Sequence, residues 1–130
     1  MKFTTVGSEG ARNLLREKQR RNRMAAKELR VQFPQFSALR LSFAFTDTSP
    51  QPPAAQSIVL HPPARAYFVY PCPYSDCSGE LDLGASVADI AQHGRASAAG
   101  HAKCSGERVR GRTGKAPCDL HIAYNISVGA

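Results

Sequence analysis

The residues best suited to chemistry are four cysteines, two of which open the same tetrapeptide: Cys77-Ser78-Gly79-Glu80 and Cys104-Ser105-Gly106-Glu107. Cys72 stands five positions before the first copy and Cys118 fourteen positions after the start of the second, so the cysteines fall into two pairs. Such pairs suit a structural metal site, because Zn²⁺ takes four tetrahedral ligands and needs turns that aim paired side chains at one point. A glycine two residues after a cysteine serves that turn: it accepts positive φ and lets backbone N–H groups face a negatively charged sulfur. Gly79 and Gly106 hold that place, and Pro71, Pro73 and Pro117 stiffen the chain beside Cys72 and Cys118.

The expected ligands are therefore Cys72, Cys77, Cys104 and Cys118, and the expected cofactor is Zn²⁺. Two disulfides or four unliganded thiols are the alternatives, and the compartment decides among them. Met1 to Gly7 holds no apolar stretch of the kind that precedes a signal cleavage site, which predicts a cytoplasmic protein with reduced thiols. No apolar run approaches the roughly 18 residues of a membrane span, so no membrane partner is expected. His101, three before Cys104, and His121, three after Cys118, are rival ligands for a mixed site.

Through Cys72-Pro73-Tyr74-Ser75-Asp76-Cys77-Ser78-Gly79, Cys104-Ser105-Gly106 and Cys118, the stretch from Tyr70 to Tyr124 resembles zinc ribbons. In those modules two knuckles on neighbouring β-hairpins share one metal. The first pair here is spaced by four intervening residues and the second by thirteen, so the resemblance implies that Cys118 joins from a separate strand.

A catalytic zinc keeps one position open for water beside three protein ligands; four thiolates leave none. H-E-x-x-H, the deaminase H-x-E with P-C-x-x-C, G-x-S-x-G and the phosphate-binding G-x-x-x-x-G-K-[ST] are all absent. The expectation is a non-enzymatic module with no small-molecule substrate.

The formal charge is +7, and residues 1 to 31 hold nine basic side chains against three acidic ones, a net of +6. Over the remaining residues eight basic side chains face seven acidic ones, a net of +1. Arg12, Arg16, Arg20, Arg21, Arg23 and Lys27 on a helix, with Arg108, Arg110, Arg112 and Lys115 in a basic loop, are the candidates for contacting the phosphates of RNA or DNA. The alternative is a protein partner or scaffold role, with docking at the N-terminal helix and a solvated basic arm.

These residues need elements to place them. Ser8 is a plausible N-cap, and good helix formers run from Ala11 to about Val31, before Pro34. The apolar positions break into Leu14–Leu15 and Met24–Val31 patches, so the middle of that helix is expected to be solvated or to meet a partner. Leu39, Leu41, Phe43 and Phe45 alternate as in a half-buried strand, as do Leu120, Ile122, Tyr124, Ile126 and Val128. Ser57–Leu60, Tyr67–Tyr70 and Glu80–Leu83 supply shorter strands, the stretch before Cys104 another, and Ser86–His93 two helical turns ended by Gly94. The expected fold is α+β, mainly β: an antiparallel sheet of about five or six strands with a zinc site, residues 35–130, preceded by a basic helical segment, residues 1–34.

Overall fold

The computed structural model describes residues 8–110 and 114–129. The chain is α+β and mostly strands. Helix α1 (Ser8–Ala25) is followed by a short α2 (Leu29–Gln32), then β1 (Ala38–Thr46), β2 (Gln56–Leu60), β3 (Val69–Pro71) and β4 (Glu80–Asp82). Helix α3 (Gly84–His93), β5 (Ser97–Lys103), β6 (Glu107–Arg110), β7 (Gly114–Pro117) and β8 (His121–Gly129) complete the described chain.

Alternation dictates the sheet. Leu39, Leu41, Phe43 and Phe45 are buried on one side of β1 while Arg40, Ala44 and Thr46 are exposed on the other. In β8, Ile122 and Ile126 continue the buried side. The two strands pair antiparallel over their full length, from Ala38 opposite Gly129 to Thr46 opposite His121. Strands β2 and β5 flank them, giving the antiparallel order β2-β1-β8-β5. The inner face packs against Leu29, Phe33 and Phe36 near the N-terminus and against Phe68, Leu83, Val87 and Ile90.

The main sheet has four strands where five or six were expected; the others form two separate two-stranded ribbons, β3–β4 and β6–β7. Each ribbon is three or four residues long and runs into a cysteine turn. Backbone groups at those turns bond to one another instead of extending the sheet. The segment expected to be a basic loop, Arg108 to Lys115, is thus largely the β6–β7 ribbon, and its residues 111–113 lie outside the described residues.

The long N-terminal helix stops early. At residues 27–29 the backbone pairs with residues 64–66: Leu29 N–H donates to the Ala64 carbonyl at 2.7 Å and Ala66 N–H to the Lys27 carbonyl at 2.8 Å. Arg65 Nη1 donates to the Ala26 carbonyl at 3.0 Å, a cation at a helix C-terminus. That break turns the Leu29 side chain fully into the core, which continued α1 would not require. Helix α3 ends as the sequence predicts, at Gly94 in the left-handed region with φ 62°. Among the described residues, no helix is long and apolar enough to cross a membrane.

Candidate metal centre

The first cysteine pair sits at the tip of the β3–β4 ribbon. Pro71 pairs with Glu80 as the last rung, and the next step inward is the Cys72 N–H donating to the Gly79 carbonyl at 3.0 Å. Between them the chain turns so that Cys77 N–H bonds the Tyr74 carbonyl at 3.2 Å. The second pair sits at the base of the β6–β7 ribbon, where Glu107 pairs with Pro117 and the Cys118 N–H donates to the Gly106 carbonyl at 2.9 Å. Cys104 N–H reaches the Leu120 carbonyl at 2.9 Å, tying the end of β5 to the approach to β8.

The two turns face each other. Ser78 N–H donates to the Glu107 carbonyl at 3.2 Å, Glu107 N–H returns to Ser78 Oγ at 3.1 Å, and Cys77 and Arg108 form an antiparallel bridge. The glycines make this approach possible. A Cβ on Gly106 would lie 2.2 Å from the Gly79 nitrogen and 2.5 Å from its Cα, and a Cβ on Gly79 would lie 2.4 Å from Cys104 Sγ. Neither glycine has positive φ; among the described residues Gly94 alone does, so these two are required by crowding and not by a left-handed backbone. The other expectation stands: Gly79 N–H donates to Cys77 Sγ at 3.3 Å and Gly106 N–H to Cys104 Sγ at 3.5 Å.

All four sulfurs lie within 4.8 Å of one another and all four residues are buried. Cys77 Sγ and Cys104 Sγ are 3.6 Å apart. A disulfide bond is about 2.05 Å, so this pair is not bonded. In a tetrahedron with sulfur at about 2.3 Å from the centre, the edges are about 3.8 Å, and the cluster has that scale. The donor set is soft, thiolate-only and closed, which suits zinc, and four cysteines together can hold such an ion. Without a cation the environment favours neutral thiols: burial pushes Cys72 up, and Cys104 up to about 12, again mainly through burial. Metal uptake therefore has to release protons, so low pH opposes it.

Sequence reasoning missed a brace on the outside of the first turn. Arg108 reaches back across the ribbons to put Nε 3.0 Å from Asp76 Oδ1, and its guanidinium carbon lies 3.6 Å from the Tyr74 ring centroid. The Tyr74 hydroxyl donates in turn to Asp47 Oδ2, and that hydrogen bond raises the phenol to about 12. Burial alone would weaken the Arg108 charge, but the hydrogen bond and charge of Asp76 outweigh it and hold the guanidinium more firmly protonated. No local pattern links positions 76 and 108; only the pairing of the two ribbons brings them together.

The remaining basic candidates are scattered. Arg16, Arg20, Arg21, Arg23 and Lys27 are exposed on or just after α1, with Arg20 paired to Glu17 at 3.0 Å and Arg23 5.4 Å above the Tyr67 ring. Among the described side chains of the helix Gln19 is the buried one, 4% exposed, and its Nε2 donates to Glu80 Oε2 at 2.9 Å. Lys115 is exposed on β7. Arg12 and Arg110 lie in α1 and β6 with side chains outside the described set, and Arg112 lies outside the described residues altogether. His101 and His121 are exposed on the sheet, and neither belongs to the sulfur cluster.

Comparison with protein-family models, with curated proteins and with solved structures finds no match to this chain.

Proposed function

We propose that this chain is a non-enzymatic, zinc-stabilised binding module of zinc-ribbon-like build that contacts nucleic acid or a ribonucleoprotein through α1. Zinc is held by Cys72, Cys77, Cys104 and Cys118, and its role is to lock the two ribbons to the sheet. The observation that carries this reading is the closed sulfur cluster, buried and assembled from three separate parts of the fold. A site so enclosed offers no position for a substrate or reactive water. The cytoplasm is the compartment in which such thiols stay reduced.

Support for nucleic acid comes from α1. Gln19 anchors the helix to β4, and Arg16 and Arg21 are exposed to meet phosphates, beside Arg20, which is exposed in a surface pair with Glu17. Arg108 is better understood as part of the brace than as a phosphate contact, because it is stacked and ion-paired. A second reading is favoured by exposed apolar side chains, Leu14 at 71% and Met24 at 70% on α1 and Val31 at 62% on α2, which suit a protein docked across the two helices.

A salt titration of the purified, zinc-loaded chain separates them. Binding to a short RNA or duplex DNA should weaken steeply with salt, and the triple change Arg16→Gln, Arg20→Gln, Arg21→Gln should reduce the log–log slope by about 2 to 3. Absence of binding to either nucleic acid at low salt would overturn the first reading and leave the protein-docking one. Elemental analysis should find about one zinc per chain, with a strong chelator unfolding the ribbons.

A further inference from the structure

The outward face of the four-stranded sheet carries a distinctive set of side chains. At one end, Arg40 stands between Val59 of β2 and Ser127 of β8. Two residues along, Ser42 stands between Ser57 and Asn125. At the far end, His121 stands between Thr46 and Lys103, with His101 next to that row on β5. The chain has ten carboxylates, and none occupies an outward position of these four strands.

Between the charged ends the floor is shallow. Ala44, Ala99 and Ala123, with Ser42 and Ser57, line an open depression of about 700 Å³. Small side chains let a bulky ligand come close to the sheet, while hydroxyl, amide and cationic donors surround it. From Arg40 to Thr46 the strand runs about 20 Å, which matches on the order of six phosphates along one strand of a duplex.

We propose that this face is a second surface for nucleic acid, one that binds the sugar-phosphate backbone independently of α1. Backbone contacts are made by Arg, Lys, Ser, Thr and Asn side chains, which is the set found here. A protein interface needs aromatic or large apolar anchors at its centre, and the one large apolar side chain on this face, Val59, lies at its margin. An ordinary solvated face mixes both signs of charge, whereas this one holds Arg40 and Lys103 with no acidic counterpart among its outward positions. No Phe, Tyr or Trp side chain occupies an outward position of these strands, so a base-stacking platform of the usual kind is missing and the contacts expected are to the backbone.

The test uses the zinc-loaded full chain with a fluorescent short duplex DNA and a short single-stranded RNA. The double change Arg40→Gln, Lys103→Gln should weaken binding about tenfold at low salt and lower the log–log salt slope by about 2. Ser42→Glu, which sets a carboxylate in the middle of the face, should weaken it further. Zinc content and circular dichroism should stay unchanged in all of them, since the altered side chains are outside the core. If the sheet variants bind like the parent while the α1 triple variant loses binding, this inference fails and the α1 reading stands. The reverse pattern upholds the sheet and removes α1. Failure of the parent to bind either nucleic acid overturns the inference, as does selective capture of an acidic poly-glutamate peptide that Arg40→Gln, Lys103→Gln abolishes.

Discussion

At the first cysteine pair, Cys72 precedes its Cys-Ser-Gly turn and lies with it at the closed end of a ribbon; at the second, Cys118 follows the turn and lies with it at the open end. The hydrogen bonds are nevertheless the same. Cys72 N–H to the Gly79 carbonyl at 3.0 Å is matched by Cys118 N–H to the Gly106 carbonyl at 2.9 Å. Each turn also donates a glycine N–H to its own cysteine sulfur. An antiparallel ladder presents such a pair at either end, so the number of intervening residues is free at one end and constrained at the other. The first pair has to be spaced by the turn itself. The second can enclose an entire hairpin.

The sharpest way to break this equivalence is at the glycine contact. Gly106→Ala would drive a Cβ into the Gly79 backbone on two atoms, and neither ribbon can yield without separating the turns. Overpacking of this kind should cost about 3 kcal/mol or more, with zinc binding lost in a cobalt or zinc titration. Gly79→Ala meets Cys104 Sγ first and the Gly106 nitrogen only at 3.0 Å, so its damage should fall more on metal affinity than on ribbon pairing. A Gly106→Ala chain that binds zinc like the parent would refute the face-to-face packing.

A smaller effect should distinguish the pairs by their surroundings. Only the first turn carries the Asp47, Tyr74, Asp76 and Arg108 brace. Arg108→Gln removes an ion pair whose side chains are 18% and 30% exposed, together with the cover on the Tyr74 ring. The expected cost is about 1 to 2 kcal/mol in urea unfolding, below the range for fully buried pairs because solvent still screens the contact. Rescue by Arg108→Lys should be partial, since an ammonium cannot both stack and present a planar donor. Full rescue would reduce the brace to simple charge.

Much of this architecture was legible in the residues. Alternation at Leu39–Phe45 and Leu120–Val128 located the two central strands, and Gly94 located the end of α3. The cysteine grouping was legible too, because four cysteines in two pairs leave few other uses. What could not be read was set by contacts between distant segments. The end of α1 depends on residues 64–66 supplying backbone partners to residues 27–29. The role of Arg108 depends on a bridge to Cys77, and the separation of the ribbons from the sheet depends on where their short edges find hydrogen bonds. Single-strand periodicity carries no information about such pairings.

The gentlest test concerns the spacing itself. If the second pair is held by the open end of its hairpin, the far end of β6–β7 is dispensable for the metal. Arg108 and Ala116 are a paired rung, so replacing residues 109–115 by a two-residue Asn-Gly turn should close the ladder one rung beyond Glu107 and Pro117. Zinc stoichiometry should be unchanged and the loss of stability under about 1 kcal/mol, because loop length enters closure entropy only logarithmically. The same deletion removes Arg110, Arg112 and Lys115 together, so an unaltered nucleic-acid affinity in that chain would confine binding to α1 and the sheet. Loss of zinc would instead mean that the hairpin's length, and not merely its base, positions Cys118.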